Sequence, residues 1–337
     1  MMKTYIIAEV GPNHNGSLDM AIEYIERLSE TGVNAIKFQL GNPEETYSLS
    51  AFKAEYQMKS GRSESPIEMA KKHQLKPDDH KILYAKCNEK NVDYLCSAFD
   101  LGSLVFLDNN FDLKYFKIPS GEIFSLDMIE YISNINKPII LSTGMASYDE
   151  ISISINLLNK KQKKYITLLH CISNYPTPFK DVNMNNMIEL KRRFNLPVGF
   201  SDHTTISETS LAAVSMGATI IEKHVTLDRD LPGPDHKSSS TINEFKKLIN
   251  SIRIIEQIKG SEKKYFSQEE IEISKAARKS IISKNNIAAG VIIKESDLCF
   301  KRPGTGILPI NKNEVIGKKS KIDIKKNKII KPEYLEK

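Results

Sequence analysis

The chain has 337 residues, 40% of them apolar, enough for a barrel-sized domain with a smaller one beside it. No run approaches the roughly 18 apolar residues of a membrane span, and the opening MMKTYIIAEV lacks a signal peptide's apolar core and cleavage site, so the expectation is a cytoplasmic protein with no membrane partner. The net charge of +6 gathers at residues 318–328 without interleaved stacking aromatics, which argues for a solvated basic face and against nucleic acid. The four cysteines, Cys87, Cys96, Cys171 and Cys299, lack paired spacing and are read as reduced thiols.

Along the chain, strand-like runs at 4–10, 33–39, 92–97, 114–118, 137–142, 165–170, 197–201 and 219–224 alternate with helical patterns. The helical stretches are 17–30, 77–90, 100–109, 126–135, 148–158, 183–194, 206–216 and 242–258. Eight of each is the count of an α/β fold of the (β/α)8 TIM-barrel type, placed at 1–259. Residues 260–275 read as a polar linker, and the short β-type runs of 276–337 as a small, separately folded β-rich domain. The loop at 41–76, with Tyr47, Tyr56, Arg62 and an SESP turn, is long for a βα connection and reads as a lid. In GPNHNGS, Ser17 is an expected N-cap and His14 fits a structural role as well as a functional one.

The strand ends carry the chemistry. In order they offer Glu9, Lys37 with Gln39, Ser97, Lys117, Ser142, His170, Ser201 with His203, and Glu222 with His224, all at the face where such barrels build active sites. Ser97 and Ser142 could equally fill the barrel's upper layer or cap the next helix. His203 and His224, one strand-helix unit apart, could ligate a divalent transition metal with positions left open, although either alone suits a structural role. Lys37 and Lys117 with Ser97, Ser120, Ser142 and Ser201 suit a phosphate and a carboxylate, and the PSGE turn at 119–122 could add backbone N–H groups. No nucleotide loop is present, so the phosphate belongs to a small metabolite. Carboxylates at Glu9, Glu122, Glu222 and Asp235 could move protons or grip hydroxyls, and the whole suits the joining of a phosphorylated three-carbon acid to an aldehyde.

IAEVGPNHNGS, AIKFQ, FKIPSGE, ILSTGM, LLHCISNYPTP, GFSDHT, IEKHVTLD and PGPDHKSS, then RKSIISK and FKRPGTGI, resemble the sialic acid synthase family over nearly the whole chain. The resemblance implies a TIM barrel joined to a C-terminal domain like type III antifreeze protein, and condensation of phosphoenolpyruvate with an N-acylmannosamine-type sugar to N-acetylneuraminate, releasing phosphate. His203 and His224 then match the ligands of a divalent metal, manganese or magnesium. Lys37, Ser97, Lys117, Ser120, Ser142, Ser173 and Ser201 match the phosphoenolpyruvate site, although Cys96-Ser97-Ala98-Phe99 stands where the family has STPF, and some members have asparagine where Ser173 stands. Gln39, Tyr175 and Asp235 match sugar-binding positions; Glu9, Glu122 and Glu222 are the implied catalytic acids. Arg302 matches the arginine that reaches the neighbouring subunit's barrel, which implies a domain-swapped homodimer.

Within this chemistry the alternative products are N,N'-diacetyllegionaminate and pseudaminate. An inactive sugar-binding homologue is a further alternative. A metal-dependent barrel hydrolase is disfavoured by the two basin lysines, and ice binding by the lysines from Lys312 onward.

Overall fold

Eight short strands, each apolar at its start and polar at its end, close on one another as a barrel. This computed structural model describes residues 3–53, 58, 64–159 and 165–336. The strands are β1 (Tyr5–Glu9), β2 (Ala35–Leu40), β3 (Asp93–Ala98), β4 (Phe116–Ile118), β5 (Ile139–Ser142), β6 (Ile166–Cys171), β7 (Val198–Asp202) and β8 (Ile220–Thr226). Each pairs in parallel with the next, and β1 pairs with β8, so no edge is left open. All eight expected strands are therefore present, within two residues of their expected ends.

Helices cover the outside: Leu18–Ser29, Pro77–Glu89, Leu101–Asn110, Leu126–Asn134, Tyr148–Leu158, Asn185–Phe194, Glu208–Ser215 and Ile242–Lys259. Their starts are fixed by local chemistry. Ser17 accepts from the Met20 amide, and Ser147 and Thr241 form reciprocal capping boxes with Glu150 and Glu244.

Alternation along the strands explains why a polar site sits on an apolar plug. Ile7, Ala35, Leu95, Ile140, Leu169 and Ile220 form one buried layer inside the barrel. Two residues further along the same strands stand Glu9, Lys37, Ser97, Ser142, Cys171 and Glu222, so side chains on the same face rise from hydrocarbon to charge. On β7 the corresponding lower position is Gly199. A Cβ there would lie 2.5 Å from the Ile220 carbonyl oxygen and 2.7 Å from Leu169 Cδ2, so only glycine lets the plug close.

Among its described residues the 41–76 loop holds the short helices Pro43–Thr46 and Pro66–His73. The end of the SESP segment is a helix start: Ser65 caps the Glu68 amide, the Glu68 carboxylate returns to the Ser65 amide, and Pro66 takes the first helical position, where it has no amide bond to lose. Tyr56 and Arg62 lie outside the described residues.

The chain divides into two units, residues 1–260 and 261–337. Within the second, the helix Gln268–Ala277 begins inside the stretch read as a linker and runs past its end, and Ser280–Ser283 pairs antiparallel with Leu298–Lys301. Isolated bridges and 3-10 turns complete it around a core that includes Ile281, Ile293, Val315 and Ile330.

Candidate active site

A cavity of about 570 Å³ opens above the plug at the carboxyl ends of the strands. Its floor is a buried charge cluster. Lys37 Nζ lies 2.6 Å from Glu9 Oε2, 3.7 Å from Glu222 Oε2, and donates to Ser97 Oγ at 3.2 Å. Lys117 Nζ lies 3.3 Å from Glu222 Oε1, which also accepts from Ser201 Oγ at 2.9 Å. Gln39 donates to Glu9 Oε1 at 2.7 Å. Parallel registers that set Glu9 opposite Lys37, Ser97 opposite Lys117, and Ser201 opposite Glu222 bring these groups together.

Burial raises Glu9, and the attraction of Lys37 offsets this only in part. Glu222 meets the same desolvation, but Lys117 and Lys37 outweigh it and hold the carboxyl below the usual range. Desolvation pulls Lys117 down, whereas in Lys37 the two carboxylates overcome burial and raise the amine. Two ammonium groups and two carboxyls thus share one dry floor, with Glu9 the member most disposed to carry a proton.

The imidazoles stand on the rim of this floor. His203 Nδ1 lies 2.7 Å from the Ile172 carbonyl, which can only accept; Nδ1 carries the proton and Nε2 holds the lone pair. That lone pair is 3.2 Å from both Ser201 Oγ and the Tyr175 hydroxyl. The His224 ring centroid lies 5.5 Å from that of His203. His224 Nδ1 is sealed from solvent 3.5 Å from Asp235 Oδ2, leaving Nε2 as the ring nitrogen it can offer a ligand. The contact with Asp235 is not an ion pair, because desolvation holds His224 well below its usual range and lifts Asp235 to about 7. Among the described residues no three His, Cys, Asp or Glu side chains already converge as a metal cage. What is present is a buried pair of imidazole donors that line the cavity, with carboxylates beside them.

A second network braces both histidines from behind. Asp202 accepts from Lys223 Nζ at 2.9 Å, from Ser210 and Thr209 at 2.6 and 2.7 Å, and from the Thr204 amide and hydroxyl. Lys223 also donates to the Thr204 carbonyl at 2.8 Å. The network ties together the residues before His203 and His224.

Most other expected site residues line the same cavity. Ser120 and Ser173 converge on Gly144, where a Cβ would lie 2.8 Å from Ser120 Oγ and 2.4 Å from Ser173 Oγ, and Ser142 also lines the wall. Glu122 is not among the lining residues. The 3-10 turn at Ser120–Glu122 turns its carboxylate toward the Ser125 hydroxyl, away from the floor. Arg302 belongs to the second unit, where Nε donates to the Ala277 carbonyl at 2.8 Å. Sequence reading did not assign the outer wall from the 41–76 segment, including Tyr47, Phe52, Met69 and Ala70. Its apolar residues lack a strand-end signature, and only the loop's length marked it.

A closed parallel barrel whose strand ends pair lysines with carboxylates beneath two facing imidazoles defines the class: a TIM-barrel protein with a buried, charged site at its carboxyl face. The chain belongs to the NeuB family, whose model matches residues 24–264, and it carries a SAF domain at 278–336. It is 42% identical to the N,N'-diacetyllegionaminic acid synthase of Campylobacter jejuni, over 98% of this chain and 100% of that one. The enzyme of the same name from Legionella pneumophila is 37% identical, over 99% and 95%. Among solved structures, the N-acetylneuraminic acid synthetase of Leptospira borgpetersenii in complex with citrate superposes with a TM-score of 0.72 at 32% identity, over 80% of this chain and 90% of that chain. The chain is thus a member of the nonulosonic acid synthases, with the barrel and SAF domain expected from its sequence.

Proposed function

We propose that the protein condenses phosphoenolpyruvate with 2,4-diacetamido-2,4,6-trideoxymannose to N,N'-diacetyllegionaminate. The observation that carries this choice over N-acetylneuraminate is the 42% identity, end to end, with a synthase of that name, supported by the 37% of a second. Pseudaminate and N-acetylneuraminate remain the neighbouring products.

In this reading Lys37 and Lys117 hold the phosphate and carboxylate of phosphoenolpyruvate, and Ser97, Ser120, Ser142, Ser173 and Ser201 donate hydroxyls around them. Gln39, Tyr175 and Asp235 grip the sugar. The two floor lysines are already answered by Glu9 and Glu222, so a multiply charged anion calls for further positive charge. His203 through Nε2, and His224, fit a manganese or magnesium ion at that place, with Glu222 and Asp235 as nearby oxygen donors. When bound, such an ion polarises the aldehyde oxygen.

C3 of phosphoenolpyruvate forms a bond to the aldehyde carbon, and Glu9, kept toward its protonated form by burial, delivers a proton to the aldehyde oxygen. Water adds at C2 and returns a proton to Glu9. The C2–O bond to phosphate then breaks; the remaining hydroxyl proton leaves with the phosphate, and the keto acid remains. Lys37 and Lys117 stay in place throughout and stabilise the departing phosphate. We also propose a homodimer in which Arg302 of one chain completes the site of its partner.

The test is phosphate release from phosphoenolpyruvate by metal-stripped protein with manganese restored. The diacetamido sugar should be used with a kcat/KM at least tenfold above that for N-acetylmannosamine. The reverse preference would make the protein an N-acetylneuraminate synthase.

A further inference from the structure

His14 sits at the junction between the charged floor and the outer wall. It lines the cavity, yet its residue surface is only 1% exposed. Its Nδ1 accepts the Gly16 amide at 3.1 Å, so the proton of the neutral ring is on Nε2, and Nε2 has no hydrogen-bond partner among the described residues. Desolvation lowers this imidazole to about 3, which keeps it neutral at any working pH. The ring lies against the fully buried Phe38, with centroids 6.3 Å apart, and Phe38 in turn stacks on Tyr94. It is a fixed, uncharged N–H donor.

The turn carrying this donor is packed against the outer wall. Gly16 has φ +73°, and a Cβ there would lie 2.6 Å from the Lys72 carbonyl oxygen, so the helix Pro66–His73 rests directly on it. That helix and the residues before it present Tyr47, Phe52, Met69 and Ala70 to the cavity. A donor beside an apolar wall matches an acylamino group, which carries a carbonyl acceptor and a methyl on one planar unit. A hydroxyl in the same place would meet the donor but leave the wall without an apolar partner.

We propose that His14 and this wall form a specificity subsite for the second acylamino group of the aldehyde sugar, the one remote from the aldehyde, with Nε2–H donating to the amide oxygen and the methyl packed on Met69 and Ala70. The assignment rests on the diacetamido-sugar reading above.

The experiment measures kcat and KM for the diacetamido sugar and for N-acetylmannosamine in the wild type, His14→Phe, His14→Gln and Ala70→Gln. His14→Phe removes the donor and keeps the bulk; it should lower the preference for the diacetamido sugar roughly tenfold, mainly through KM, with the KM for phosphoenolpyruvate within about twofold. His14→Gln, which returns an N–H near the same place, should recover part of the loss. Ala70→Gln, on a half-buried helix position that tolerates the change, should lower the same preference independently of folding at His14. A wild type that prefers the diacetamido sugar, with the preference unchanged in His14→Phe and Ala70→Gln, overturns the subsite and leaves the product assignment standing. A wild type that prefers N-acetylmannosamine overturns both.

Discussion

Single hydrogen bonds fix the state of several histidines. The Ile172 carbonyl makes His203 an Nε2 lone-pair donor, and the Gly16 amide makes His14 an Nε2–H donor, so two rings of one residue type are opposite tautomers. His80 shows the structural extreme. It is fully buried, Nδ1 lies 2.6 Å from the Tyr94 hydroxyl, and Nε2 is sealed without a partner, so a second proton would be buried unpaired. Desolvation accordingly depresses it to about 4 from an ordinary 6.5. Because the folded value lies below the unfolded one, this stability is fully present above pH 6.5 and is lost as pH falls from there toward 4. The unfolding free energy of the wild type should decline across that window by an amount of the order of 3 kcal/mol from His80. The His80→Gln protein should show a visibly shallower decline; an equally steep one would assign the pH dependence elsewhere.

At the scale of elements, the fold was legible because strand and helix periods alternate cleanly, and each strand except β6 ends in a polar residue two positions above its plug residue; on β6 that place is taken by Cys171, and the expected His170 turns instead to the Val182 carbonyl, outside the cavity. Glu9, Lys37, Ser97, Lys117, Ser201, His203, Glu222 and His224 could therefore be found from position alone, and all line one cavity. Glu122 does not line that cavity: a short 3-10 turn, which leaves no periodic trace, directs its carboxylate to Ser125. The outer wall was missed for the related reason that its residues come from a loop, where neither period 2 nor period 3.6 applies. Asp202 and Lys223 were also passed over, since outward positions on strands read as ordinary surface. In the structure they form the buried brace behind both histidines. Lys223→Met leaves the buried Asp202 charged without its counter-ion, and should destabilise the barrel by about 3 kcal/mol in urea unfolding. A midpoint unchanged from wild type would mean the brace is not needed for stability.

For the whole molecule, the proposed exchange of Arg302 between subunits makes a prediction that neither unit alone can satisfy. Arg302→Ala chains and Lys117→Ala chains should each be inactive, but a mixture allowed to exchange subunits should regain part of the activity, because mixed dimers contain one intact site. Absence of recovery, with exchange demonstrated, would mean that Arg302 does not act in trans.

In the proposed function, the buried lysine–carboxylate floor and the paired histidines join phosphoenolpyruvate to an aldehyde sugar. Its most direct test is the product stoichiometry with the diacetamido sugar and manganese-restored protein, following phosphate by assay and the keto acid by mass spectrometry. One phosphate should be released for each diacetamido keto acid formed, and none without sugar. Phosphate released without sugar, or no coupled product from protein shown to bind both manganese and phosphoenolpyruvate, would contradict it.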